Sequence, residues 1–169
     1  MPPHCDTLDG PVVTAAATAL EAGDVNLILP YAPQGAEAEI KVAFEKCVAV
    51  RKLNDQAKEV AERLFFETVV RLHRVGEGAA YIGLKPAGLD HGPVIPVAVE
   101  AIRSGHDDKL VSILRDKVEI EVNKRFNNMK ELEKHKNDSI DAARQYVSAM
   151  LGLQVYCHKL YKFAETGPT

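Results

Sequence analysis

Apolar residues return every third or fourth position through most of this chain, and nowhere do they alternate with polar ones in steps of two. That period is helical, so the pattern predicts an all-α protein with no sheet. Pro11 at a first helical position, an apolar stripe from Val12 and Val13 through Ala16 and Leu20, and Gly23 as a left-handed stop define a first helix. Residues 25–31 read as a short apolar turn halted by Pro30 and Pro33, and a helix over 36–52 follows with Ile40, Phe44, Cys47 and Val48 on one face. Asn54 or Asp55 caps the next helix, which carries Ala57, Val60, Ala61, Leu64, Thr68 and Leu72 to about Arg74. Gly76, Gly78, Gly83, Pro86 and Gly88 then mark a connector over 76–88, a length at which loops tend to be functional or to act as hinges. Beyond it the periodicity predicts helices over 93–104, 107–134 and 138–163.

The pattern also repeats. Leu8-Asp9-Gly10-Pro11-Val12-Val13 returns as Leu89-Asp90-His91-Gly92-Pro93-Val94-Ile95, with His91 inserted before the glycine. A shift of 82 positions lays Ala16, Ala19, Leu20 and Gly23 on Ala98, Ala101, Ile102 and Gly105, and Phe44 on Phe126. A shift of 85 lays Leu72-His73-Arg74 over Cys157-His158-Lys159. Glycine and proline matches at both helix ends are hard to obtain from helical periodicity alone. The expectation is a helical bundle of two pseudo-symmetric three-helix repeats in a single domain over 1–169: repeat one at 4–75, the Gly/Pro connector at 76–88, and repeat two at 89–164. Neither repeat buries its apolar faces alone, so the two should pack together.

Composition removes several classes of function. At 169 residues and 46% hydrophobic content the chain builds a core without disulfides, and Cys5, Cys47 and Cys157 are too few, odd in number and too far apart for a disulfide framework. Cys47 and Cys157, inside helical stretches, read as buried thiols. A net charge of −3, with no run of Lys and Arg interleaved with aromatics, argues against nucleic acid as a partner. No apolar stretch reaches membrane-spanning length and the chain opens without a leader pattern, so a cytoplasmic protein with no membrane partner is expected, and a homo-oligomer is compatible with the pattern. Glu-x-x-His pairs, His-Glu-x-x-His, Cys-x-x-Cys, Gly-x-Ser-x-Gly and a complete dinucleotide fingerprint are all missing.

One stretch does carry chemistry. His4-Cys5-Asp6-Thr7-Leu8-Asp9-Gly10-Pro11-Val12 places imidazole, thiol and two carboxylates just ahead of the first helix, and those are the side chains that bind transition metals. Each repeat has a Leu-Asp turn before its Gly-Pro helix start and a histidine near the end of its last helix: His4, Cys5, Asp6 and Asp9 with His73 in the first, Asp90 and His91 with His158 in the second. The expected metal ligands are therefore His4, Cys5, Asp6, Asp9 and His73. Glu77, four residues after His73, is placed to orient its other nitrogen, although Gly76 and Gly78 should already have ended the helix. His91 and His158 belong to a degenerate second copy. Zinc, copper or nickel suits mixed N, S and O donors.

Two resemblances follow from these residues. The opening from His4 to Val12, the Phe65-Phe66-Glu67-Thr68 stretch running on through Leu72-His73-Arg74 to Gly78, and Tyr81 to Gly88 resemble an uncharacterised prokaryotic family of helical proteins with a His-Cys-Asp-Thr-x-Asp-Gly-Pro-Val opening. That likeness covers most of the chain and implies no activity. Many such relatives carry a secretory signal ending just before the His-Cys pair, a pattern from which this chain departs. The stretch His4-Cys5-Asp6-Thr7-Leu8-Asp9-Gly10 is also similar to the nickel hook of nickel superoxide dismutase, His-Cys-Asp-Leu-Pro-Cys-Gly. There the resemblance implies nickel held by the N-terminal amine, imidazole and two thiolates. Here His4 and Cys5 match, Asp9 stands where the second cysteine falls, and Met1-Pro2-Pro3 precedes the histidine. The reading is a transition-metal-binding bundle, with a superoxide dismutase-like or other metal-dependent oxidoreductase as one alternative and a non-catalytic storage, delivery or protein-binding bundle as the other.

Overall fold

Six α-helices and four short 3-10 turns carry the chain in the computed structural model, which describes residues 3–167. Two compact units result, Met1–Gly92 and Pro93–Thr169. Met1 and Pro2, which the resemblance to a nickel site placed ahead of the histidine, lie outside the described residues.

In the first unit α1 (Pro11–Ala22), α2 (Glu37–Val50) and α3 (Asp55–Gly76) form the core, with both α1 and α2 packed on α3. Pro11 begins α1 and Gly23, at φ 68°, ends it by donating its N–H to Ala19. The buried face of α1 is the one its stripe predicts: Val12, Val13, Ala16, Ala19 and Leu20. α2 contributes Ile40, Phe44 and Cys47, and α3 contributes Ala61, Phe65, Val69, Val70 and Leu72, with Phe44 and Phe65 meeting edge to face at 5.7 Å. Asn54 caps α3 by accepting a hydrogen bond from the Ala57 N–H at 2.8 Å. Arg51, at the end of α2, ties the three helices together: it donates to the Leu20 carbonyl at 2.8 Å and to Glu62 at 2.8 Å, and pairs with Glu21.

The one boundary that matters for the site differs from expectation. α3 does not stop near Arg74 but continues to Gly76, with Glu77 closing it by donating its N–H to the His73 and Arg74 carbonyls. Gly76 is not the stop. It is a point of close approach, since a Cβ there would sit 2.9 Å from Pro33 Cδ, and Gly78, at φ 66°, turns the chain away instead.

The second unit holds α4 (Val94–Ser104), α5 (Asp108–Lys134) and α6 (Ile140–Thr166). α5 and α6 pair along their lengths, with the Arg125 guanidinium 3.8 Å above the Tyr156 ring, and α4 packs on α5. The first unit pairs its first helix with its third, the second unit its first with its second. No described side chain of the second unit is fully buried; Cys157, read as a buried thiol, is half-buried. Among the described residues the only sheet-like pairing is an isolated parallel bridge between Thr7 and Lys85, and no helix is long and apolar enough to cross a membrane.

Candidate metal centre

Two segments far apart in sequence build this site, the N-terminal turn and the end of α3. The turn, Pro3–Asp6, is wound tightly. Thr7, fully buried, donates its hydroxyl to the His4 carbonyl at 3.0 Å, and the Gly10 N–H closes the loop on the Thr7 carbonyl at 2.9 Å. Only glycine fits at position 10, because a Cβ would lie 2.0 Å from the His4 carbonyl oxygen. The connector straps the outside of the turn: Lys85 donates its N–H to the Asp6 carbonyl at 2.8 Å, Leu8 donates to the Lys85 carbonyl at 3.0 Å, and Gly88 donates to the Asp9 carboxylate at 2.8 Å. That last bond holds the Asp9 carboxyl below its ordinary pKa.

Against this turn α3 presents His73, Arg74 and Glu77, all within its last turn and cap. Cys5 Sγ, a His73 ring nitrogen and a Glu77 carboxylate oxygen all lie within 4.8 Å of one another. The His73 ring has a fixed role. Its Nδ1 is 2.6 Å from the Tyr31 carbonyl oxygen, which only accepts, so Nδ1 carries a proton and Nε2 is turned toward Glu77. Nε2 is buried, makes no hydrogen bond, and faces Glu77 Oε1 at 3.2 Å. A lone pair and a carboxylate oxygen this close repel each other unless a proton or a cation lies between them. Cys5 is 6% exposed, and burial, reinforced by the neighbouring Glu77 charge, pushes its thiol pKa up.

Arg74 sets the electrostatics. Its Nε donates to Asp6 Oδ1 at 2.6 Å and its Nη1 to Glu77 Oε2 at 2.9 Å. One guanidinium thus holds two carboxylates, leaving a surplus of one negative charge, and it fixes Glu77 so that the other oxygen points to His73. If Cys5 ionises as well, the surplus becomes two, which a divalent ion would neutralise.

Of the residues expected from sequence, Cys5, His73 and Glu77 come together. Glu77 stands beside His73 Nε2, whereas the sequence placed it behind the ring. His4 is adjacent, its Nε2 3.7 Å from Cys5 Sγ and its ring edge-on to His91 at 6.0 Å. Asp6 is engaged by Arg74 and Asp9 by Gly88, so neither carboxylate joins the group. Asp9 instead fastens the connector. His158 is exposed on α6 in the second unit and belongs to no metal-donor group among the described residues. Sequence reasoning passed over Arg74 and the Tyr31 carbonyl. The three-residue spacing from Arg74 to Glu77 was a signal for the first; a backbone acceptor from a distant 3-10 turn leaves none.

The chain belongs to a family described only as a family of unknown function (DUF6448), whose model matches residues 9–156. The matched span includes His73, Arg74 and Glu77 and begins after Cys5. No curated protein and no solved structure matches the chain.

Proposed function

We propose that this member of a family of unknown function binds one transition metal ion, zinc, copper or nickel, through Cys5 Sγ, His73 Nε2 and Glu77 Oε1. His4 stands ready to add a fourth donor. The observation that carries the reading is the gathering of Cys5 Sγ, a His73 ring nitrogen and a Glu77 carboxylate oxygen within 4.8 Å of one another, with the His73 ring held from behind by the Tyr31 carbonyl. A backbone carbonyl behind an imidazole is the usual support for a metal-ligating histidine, since it fixes the tautomer and ring plane. Thiolate, imidazole and carboxylate together suit borderline ions and disfavour calcium and magnesium, which take oxygen donors. Asp6 does not ligate in this reading; through Arg74 it orients Glu77. Three donors from protein with a fourth exchangeable position would leave room for an added ligand, the arrangement of reactive rather than purely structural sites.

Metal content of protein purified without chelators or a His-tag tests the proposal. One ion per chain is expected, falling to a small fraction in a Cys5→Ala or His73→Ala variant that keeps its helical content. Metal-free native protein that takes up no zinc, copper or nickel, or a Cys5→Ala variant that retains the full complement, would discard it.

A further inference from the structure

We propose that His91 and His4 form an outer pair of donors that captures a transition metal ion from solvent and passes it to Cys5, His73 and Glu77, a role that rests on the inner centre proposed above. The sequence pattern assigned His91 to the second repeat. It lies instead in the first unit, its ring edge-on to His4 with 6.0 Å between ring centres and planes inclined at 68°. The connector brings it there. Lys85 and Gly88 are fastened to the N-terminal turn through Asp6, Leu8 and Asp9. Just beyond, the Asp90 carboxylate accepts the Gly92 N–H at 2.7 Å and Gly92 takes φ 75°, so the chain turns sharply with His91 at the corner.

His91 Nδ1 is buried and has no hydrogen-bond partner among the described residues. A polar atom is unfavourable there unless some further group satisfies it. The pair also has nearly the spacing of shared ligands. Two imidazoles on one tetrahedral ion, each bonded at about 2.0–2.1 Å, stand roughly 5 Å apart between ring centres, so a modest swing of either ring from the observed 6.0 Å brings both onto one ion. Neutral imidazole suits zinc, copper and nickel, the ions expected at the inner centre. The exposed Asp9 carboxylate adds a local attraction for cations: its pKa, lowered chiefly by the Gly88 N–H, is lowered also by the nearby His91.

His4 belongs to both steps. Its Nε2 lies 3.7 Å from Cys5 Sγ, and both histidines are half-buried whereas Cys5 is buried. An ion arriving from solvent therefore meets the imidazoles first, and His4 keeps hold of it while Cys5 takes the place of His91. Two protein donors bind more weakly than the thiolate, imidazole and carboxylate within, which gives the transfer its direction.

Two measurements on the full chain test this. Zinc titrated calorimetrically into a Cys5→Ala/His73→Gln variant, which lacks the inner centre, should show weak binding of one ion that disappears when His91→Gln is added. Rapid mixing of the metal-free parent with cobalt(II) should develop the thiolate-to-cobalt absorption of the inner centre. His91→Gln, with unchanged helical circular dichroism, should reach the same final intensity several-fold more slowly. Residual zinc binding that is absent or ignores His91→Gln, or an unchanged rate of cobalt uptake, would overturn the outer pair. A parent that develops no thiolate-to-cobalt band would instead contradict the inner centre, and the transfer step with it.

Discussion

Arg74 Nε donates to Asp6 Oδ1 at 2.6 Å, joining two side chains only 5% and 3% exposed and 68 positions apart in sequence. This bond fastens the N-terminal turn to the end of α3 and so brings Cys5 to His73 and Glu77. Removing one partner strands a buried charge, which costs about 3–5 kcal/mol. Arg74→Met should therefore lower the unfolding free energy of the first unit by about that amount in urea titrations. Asp6→Asn, which keeps a hydrogen-bond acceptor, should cost less. The Asp6→Asn/Arg74→Met pair should cost less than the sum of its parts, because loss of the guanidinium then no longer strands a charge at position 6.

Gly10 and Gly35 make a controlled contrast. A Cβ at Gly10 would overlap the His4 carbonyl at 2.0 Å, whereas one at Gly35 meets nothing within 4 Å among the described residues. Gly10→Ala should destabilise the unit by about 1–3 kcal/mol, the usual range for overpacking, and displace the turn that carries Cys5. Gly35→Ala should be close to neutral. Thermal unfolding of the two variants checks the pair.

The connector's hold on the turn should fade in acid. The Asp9 carboxyl is held below its ordinary pKa, chiefly by the Gly88 N–H. A depressed carboxylate adds stability that is present in full above its unfolded value, about 3.9, and disappears as pH falls through its folded value. Amide exchange at Gly88 should be slower in the parent than in an Asp9→Asn variant at neutral pH, and the two should converge once Asp9 is protonated.

Metal uptake should release a proton. Burial and the Glu77 charge favour the neutral Cys5 thiol in the free protein, so a thiolate ligand must lose its proton on binding. Below the thiol pKa, affinity for zinc should then rise about tenfold per pH unit, and a Cys5→Ser variant should lose most of that slope. Calorimetric titrations in buffers of different ionisation enthalpy read the proton directly.

The helices were legible because their periodicity, caps and stops agree: Pro11, Gly23 and Asn54 each stand where the backbone uses them. The turn residues and His73 were legible as metal-type chemistry for the same local reason. What the sequence did not disclose was which carboxylates are spent elsewhere. Asp6 and Asp9 look like ligands by type and proximity, yet one answers to a guanidinium on α3 and the other to an amide on the connector, both set by tertiary placement. Glu77 was read as orienting His73 rather than as a donor, and Gly76 as a helix stop, when that glycine instead makes room for the Pro33 ring. The expected pseudo-symmetric repeat does not carry over into like pairings: α1 packs on α3 but α4 on α5, a matter long-range packing decides.

X-ray absorption at the metal edge of protein loaded with a single equivalent of zinc tests the central claim most directly. One sulfur scatterer at about 2.3 Å is expected, with nitrogen and oxygen filling the rest of the shell, and that sulfur should be lost in Cys5→Ser. A shell of nitrogen and oxygen alone in the parent, or a sulfur signal that survives Cys5→Ser, would contradict it.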